Sequence, residues 1–211
     1  NDTDGTNITN TGSEATVLGS DDNMFIGYNS GSGDWCNGSV AAASIQNVAI
    51  GNYTMDSVLN EASYNTAVGW TALSSPTTGH RNVAIGRSAG ELLTTGANNT
   101  IVGAFALDAG VADMNYNVAV GLDAMGSANA TGADNNIAIG STALSGGTST
   151  GASNVAIGHA TMNHGSNAAD QCVMIGASTG QGNMTSDADG TICIGYQAGI
   201  EITSGAKNIA I

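Results

Sequence analysis

Positive charge is nearly absent from this 211-residue chain. Lys and Arg total 3 against 17 Asp and Glu, a formal net charge of −14. So few cations cannot neutralise a phosphate backbone, which excludes nucleic acid as a partner class. Aromatic residues are also scarce, at 4%, with two Phe and two Trp, too few for the core of an ordinary compact domain of this length. No run of 18 apolar residues occurs, so no membrane insertion is expected. A single Pro, and Gly without a strict three-residue period, exclude collagen. Three scattered cysteines without CxxC spacing decide nothing about compartment. Charged residues are only 9% and Ile and Val recur regularly, so order is expected rather than disorder. The chain starts at Asn1 without a basic-then-apolar leader and stops at Ile211 inside a motif, so a processed or fragmentary segment of a longer polypeptide is expected.

What the chain has is a repeat. NVAIG at 47–51 is followed by NTAVG at 65–69, NVAIG at 82–86, NTIVG at 99–103 and NVAVG at 117–121. NIAIG at 136–140, NVAIG at 154–158, CVMIG at 172–176 and TICIG at 191–195 continue the series, and NIAI at 208–211 ends it. Successive motif glycines, Gly51 to Gly195, are 18, 17, 17, 18, 19, 18, 18 and 19 residues apart. Degenerate copies end at Gly19 and Gly27. Three regions follow: 1–27 with degenerate N-terminal coils, 28–46 as an irregular insertion carrying Trp35 and Cys36, and 47–211 with regular NVAIGxxA repeats truncated at the C-terminus.

Ile, Val and Thr in short runs bounded by Gly and Asn predict strands. The gaps are dominated by Gly, Asn, Ser and Thr, which do not support helix. A unit of 18 residues is too small to fold alone and must stack on its neighbours. The expected fold is therefore all-β, a parallel β-solenoid of about 18-residue coils. At about 4.8 Å per stacked strand, the eight steps from Gly51 to Gly195 make a rod of roughly 40 Å.

Side chains alternate along a strand. One row holds the residues one and three before each Gly. Val48, Ile50, Val83, Ile85, Val118, Val120, Ile137, Ile139, Val155, Ile157, Ile175 and Ile194 are expected to fill the coil interior. The other row, two before each Gly, is Ala49, Ala67, Ala84, Ile101, Ala119, Ala138, Ala156, Met174, Cys193 and Ala210. A strand with one wet face should alternate apolar and polar. This strand is apolar on both faces, so both are expected to be buried. A thin coil has only one interior, so the small-residue row is expected to meet another chain in a homo-oligomer. Four before the Gly, Asn occurs in eight of ten copies, which fits either an amide ladder or turn geometry at the start of the strand.

The NVAIGxxA unit, repeated with Gly turns, resembles the head repeats of trimeric autotransporter adhesins. Its 17–19 spacing with TGxxN linkers is similar to repeats in phage tail fibres and related bacterial fibre proteins. The resemblance covers about residues 47–211 and extends to 16–27. It implies a left-handed parallel β-roll with three chains around one axis, in an extracellular, cell-surface or virion-tail fibre. Such a homotrimer would give rigid reach and multivalent attachment to a host-surface glycan or protein receptor. Two other readings compete. One is a monomeric β-solenoid binding carbohydrate or ice, although the slot after the motif Gly is mixed rather than a regular Thr array. The other is a hexapeptide-repeat acyltransferase, since three hexads make 18, although the hexads after Val68 would start at Ser74 and His80.

Little in the sequence points to catalysis. His80, His159 and His164 accompany no nucleophile spacing, Ser/His/Asp order or HExxH, so the chain is expected not to be an enzyme. Asp2-x-Asp4-Gly5 and Asp187-x-Asp189-Gly190 echo the start of calcium loops without the distal Glu; turn chemistry accounts for them equally. No other cofactor is expected. Sequons at Asn7, Asn37, Asn52, Asn98, Asn129 and Asn183 permit glycosylation in a suitable host. Tyr28, Trp70 and Tyr196 follow motif glycines and could stack on sugars or pack on a neighbouring coil. Cys172 and Cys193 sit roughly 8 Å apart on strand geometry, beyond disulfide reach, and Cys193 falls in the Ala row.

Overall fold

A computed structural model describes residues 22–32, 44–109, 113–127, 132–146, 151–163, 165 and 168–211. Each coil contributes one three-residue strand. These are β1 (Met24–Ile26), β2 (Val48–Ile50), β3 (Thr66–Val68), β4 (Val83–Ile85), β5 (Thr100–Val102), β6 (Val118–Val120), β7 (Ile137–Ile139), β8 (Val155–Ile157), β9 (Val173–Ile175) and β10 (Ile192–Ile194), with the shorter β11 (Ile209–Ala210) last. They form one parallel sheet in chain order, and equivalent motif positions pair throughout, for example Ala67 with Ala84 and Val68 with Ile85. The chain is a parallel β-solenoid. Tyr28 to Gly31 and Ser44 to Gln46 belong to regular coils, since β1 pairs with β2 in the common register. Residues 33–43, with Trp35 and Cys36, lie outside the described residues.

The motif Gly is required by the stacking. Gly86 has φ +138, and a Cβ there would lie 2.5 Å from the carbonyl oxygen of Gly103 in the next coil. Both the backbone conformation and the space admit no side chain. Two and four residues after it the backbone turns left-handed even without glycine, as at Thr71 (φ 53) and Leu73 (φ 44), and again just before the strand, as at Tyr64 (φ 64). Such conformations cost of order 1 kcal/mol each. Coil-to-coil hydrogen bonds hold them in place. Thr71 N–H donates to the preceding coil at Asn52 O, and Leu73 N–H to the following coil at Ala89 O. The alternating hand thus sends successive amides up and down the stack.

The interior reverses the expected faces. Ala49, Ala67, Ala84, Ile101, Ala119, Ala138, Ala156, Met174 and Cys193 are all 0% exposed inside the coil, with Ala210 packed against the same core. The row expected inside points outward. Ile50, Ile85, Ile139, Ile175 and Ile194 are exposed, and Val48, Val83, Val118, Val120, Ile137, Val155 and Ile157 are half-buried at the outer surface. The physical reason is the width of the coil. Long side chains enter from the turn four residues after the Gly, where Met55, Leu73, Leu107, Met125, Leu144 and Met162 are fully or almost fully buried. With that space filled, most strands have room only for a methyl group pointing inward.

The Asn row shares the parity of the Ala row and is also interior. Asn65 N–H donates to Asn47 Oδ1 (2.9 Å), Asn82 to Asn65 (2.9 Å), Asn99 to Asn82 (3.0 Å) and Asn117 to Asn99 (2.9 Å). Most of these amides also donate to a carbonyl of the next coil, as Asn99 Nδ2 does to Met114 O (2.8 Å). Of the two structural readings of this Asn, the ladder is the one that forms.

Candidate functional site: the outward strand face

The strand face presents four columns of side chains, running up the sheet. Two are the outward Val and Ile rows. One flanking column is Gln46, Tyr64, Arg81, Asn98, Tyr116, Asn135, Ser153, Gln171 and Lys207, just before each ladder position. The other, just after each motif Gly, is Tyr28, Asn52, Trp70, Arg87, Ala104, Leu122, Ser141, His159, Ala177 and Tyr196. Apolar exposure concentrates here. Of the seventeen large hydrophobic side chains exposed among the described residues, all but Val58 and Leu92 lie on these four columns.

Charge is sorted onto the same map. All three cations of the chain, Arg81, Arg87 and Lys207, stand in the flanking columns. Among the described acids only Asp22 shares the face. The two arginines are held on rings. Arg81 lies 5.5 Å over Tyr64, and Arg87 lies 5.0 Å from Trp70 and 5.1 Å from Phe105. Such stacking restrains the guanidinium and covers the rings.

The acids line the rest of the coil. Asp108 is pushed up from 3.8 to about 6, first by burial and then by the nearby charges of Asp123 and Glu91. Burial also raises Asp56. A second ladder escaped the sequence reading. Asp134 Oδ1 accepts Asn115 N–H (2.7 Å), Asp170 Oδ1 accepts Ala152 N–H (2.7 Å) and Asp189 Oδ1 accepts Asp170 N–H (2.8 Å). It runs against the Asn ladder, each side chain capping the coil before it. The signal available was an Asx residue recurring two positions ahead of the ladder Asn.

Of the candidate calcium ligands, Asp189 is thus engaged in this ladder, while Asp187 is exposed in the single-turn 3-10 helix Ser186–Ala188. Among the described residues no group of three or more His, Cys, Asp or Glu is arranged to hold a metal. Asp2 and Asp4 lie outside the described residues. His80 is half-buried with Nδ1 3.4 Å from Thr78 O, His159 stands exposed beside the strand face, and His164 lies outside the described residues. The structure does not bring the two described histidines into a shared site.

Cys172 and Cys193 are free and buried, and burial raises both thiols. Cys172 replaces an Asn in the ladder. Its N–H donates to Asn154 Oδ1 (2.9 Å), and its thiol points to Ala188 O (3.5 Å), the carbonyl equivalent to the one an Asn amide reaches. Among the sequons, Asn52 is exposed, with Oδ1 accepting Tyr28 N–H (2.9 Å), Asn98 is half-buried and Asn183 is exposed. Asn7, Asn37 and Asn129 lie outside the described residues.

No family model, curated protein or solved structure matches the chain. No helix among the described residues is long and apolar enough to cross a membrane.

Proposed function

We propose that this chain is a structural segment of an extracellular or virion fibre, acting as an adhesin or tail fibre in which three copies run side by side. One observation carries the reading: the solenoid exposes along its strand face one unbroken row of Ile and Val and a second apolar row interrupted at Thr66 and Thr100. Monomeric soluble proteins rarely leave so large an apolar patch in water. A coil stabilised by its ladders and its own thin core, with such a face left over, suits a rod that bundles. Its work would be mechanical. Bundling gives stiffness and reach, and the repeated surface slots appear once per copy, so weak contacts with a host-surface glycan or protein receptor add up.

Light scattering on the purified chain tests this. A particle of three chain masses, elongated in small-angle scattering, is the expected result. A single-chain mass at the highest soluble concentration would return the choice to a monomeric solenoid that binds carbohydrate or ice.

A further inference from the structure

We propose that the coils of β1 to β5 carry a binding strip for an acidic oligosaccharide, a chain of sugar rings bearing carboxylates. The strip follows the corner where the strand face ends, at the first and second positions after the motif Gly. It gives the receptor of the fibre reading a place and a chemistry. It rests on that reading for its purpose, though not for the contact itself.

The placing of the rings is the first observation. Tyr28, Tyr53, Trp70 and Phe105 stand at these positions after Gly27, Gly51, Gly69 and Gly103, and Arg87 stands there after Gly86. Five successive coils therefore each present one flat group. Their strands pair in register, so at about 4.8 Å per coil the strip is roughly 20 Å long. Tyr28 and Tyr53 meet edge to face, with centroids 5.5 Å apart. Tyr28 is 58% and Trp70 46% exposed, while Tyr53 and Phe105 are half-buried. Of the five coils that follow, only the last, with Tyr196, has a Phe, Tyr or Trp at these positions.

Charge is the second observation. Arg87 is exposed between two rings, 5.0 Å from Trp70 and 5.1 Å from Phe105. Among the described residues its guanidinium has no hydrogen bond and no ion pair. Stacking restrains the group and leaves its N–H donors for an acceptor from outside. No acid occupies these two positions in any of the five coils; the first to do so is Asp123, one coil further on. On a chain of formal charge −14, an anion approaches this strip against less repulsion than it meets along the acid-lined remainder of the coil. A carboxylate matches the guanidinium fork.

The proportion of groups selects among acidic ligands. An acidic peptide needs cations to match its carboxylates, and the strip holds one. Four rings to one guanidinium suit a chain of sugar rings, whose slightly positive C–H faces lie on the negative faces of aromatic rings.

The test uses the whole chain and isothermal titration calorimetry. The probes are hyaluronan hexasaccharide, oligogalacturonate and oligosialate, the methyl esters of each, and poly-glutamate. At least one of the three acidic oligosaccharides is expected to bind, and its neutral ester to bind at least tenfold more weakly. Arg87→Gln and Trp70→Ala should each weaken binding at least tenfold, while Lys207→Gln, which removes a cation outside the strip, should leave it unchanged. Asn52, Ala104 and Ala177 hold the same slot in other coils, so the fold accepts small side chains there, and circular dichroism checks each variant. The ester comparison needs no variant. Failure of all three acids to bind, an ester or poly-glutamate that binds as tightly, or unchanged affinity in both strip variants overturns the inference. Light scattering on the same samples keeps the two proposals apart. A three-chain particle that binds no acidic sugar overturns this inference alone, and a single chain that binds one overturns the fibre reading alone.

Discussion

Gly180 lies against the side chain of Met174: a Cβ on Gly180 would sit 2.9 Å from Met174 Sδ. These residues occupy the two interior slots of one coil, six positions apart. In most other coils the same slots pair a small strand residue with a long turn residue, as in Ala67 with Leu73 and Ala138 with Leu144. In the Met174 coil the sizes are exchanged. The coils of Phe25 with Gly31 and Cys193 with Gly199 follow the exchanged pattern. The interior is filled from one side or the other, and where both slots are small, as at Ala84 and Gly90, Ile101 and Leu73 of the adjoining coils fill the space, each 3.0 Å from a Cβ on Gly90.

That relation predicts a compensating pair. Met174→Ala alone should cost about 2–4 kcal/mol, as truncation of a buried Met does. Gly180→Leu alone should also destabilise, by overpacking. Leu73 and Leu144 hold the equivalent slot at φ 44 and 51, so the φ 61 of Gly180 is within reach of Leu. The double variant should recover most of the loss, a coupling of about 2 kcal/mol or more in denaturant unfolding. Simple addition of the two losses would refute the shared volume.

Ala84 and Ile85 should respond differently to the same change. Ala84 is fully buried within its own coil, and an Asp there would be an unpaired charge in a dry interior. Ala84→Asp should lower stability by about 4 kcal/mol or more and abolish cooperative melting even in dilute solution. Ile85→Asp, on the outer surface, should leave the single-chain fold intact. Thermal melts by circular dichroism at two concentrations separate the two effects.

Asn99 tests the ladder. Its amide donates to Met114 O and Asn82 Oδ1, and its Oδ1 accepts Asn117 N–H. Asn99→Asp retains the acceptor but loses the donor and buries a charge. A loss of about 3 kcal/mol is expected at pH 7, since breaking a buried network leaves its partners unpaired. Burial should raise the pKa of that Asp above its unfolded value, and a protonated carboxyl can donate again. Stability should therefore recover as pH falls and be lost as pH rises through the folded-state pKa. A variant equally destabilised at pH 4 and pH 7 would refute this account.

Asp108 carries a pH dependence of its own. Its carboxyl is raised to about 6 by burial and by Asp123 and Glu91. A carboxyl raised in the folded state contributes stability that is complete below its unfolded value near 3.8 and is lost as pH climbs to about 6. Asp108→Asn should therefore melt at a higher temperature than the wild type above pH 6 and at nearly the same temperature below pH 4. Parallel melting curves across that window would show that the raised pKa does not act on folding.

Much of the architecture was legible in the chain because the same constraint recurs every 18 residues. The glycines that cannot carry a Cβ, the strands just before them and their parallel register all follow from the period. The assignment of faces was not legible from alternation alone, since Val48 and Ala49 are both apolar. A clue was nevertheless present. Asn47 and Ala49 share a parity, and an amide ladder is favoured where water cannot compete, which marks their row as interior. The left-handed turn positions had no signal either, because Thr71 and Leu73 are poor residues for that conformation and only coil-to-coil hydrogen bonds keep them there.

The sequence by itself determined the period, one strand per coil and the parallel stacking, because these depend on local rules repeated many times. Only the tertiary structure decided which apolar row is inside. That choice depends on how wide the closed coil is and on which long side chains reach in from its far side, and neither is a property of any single stretch of chain.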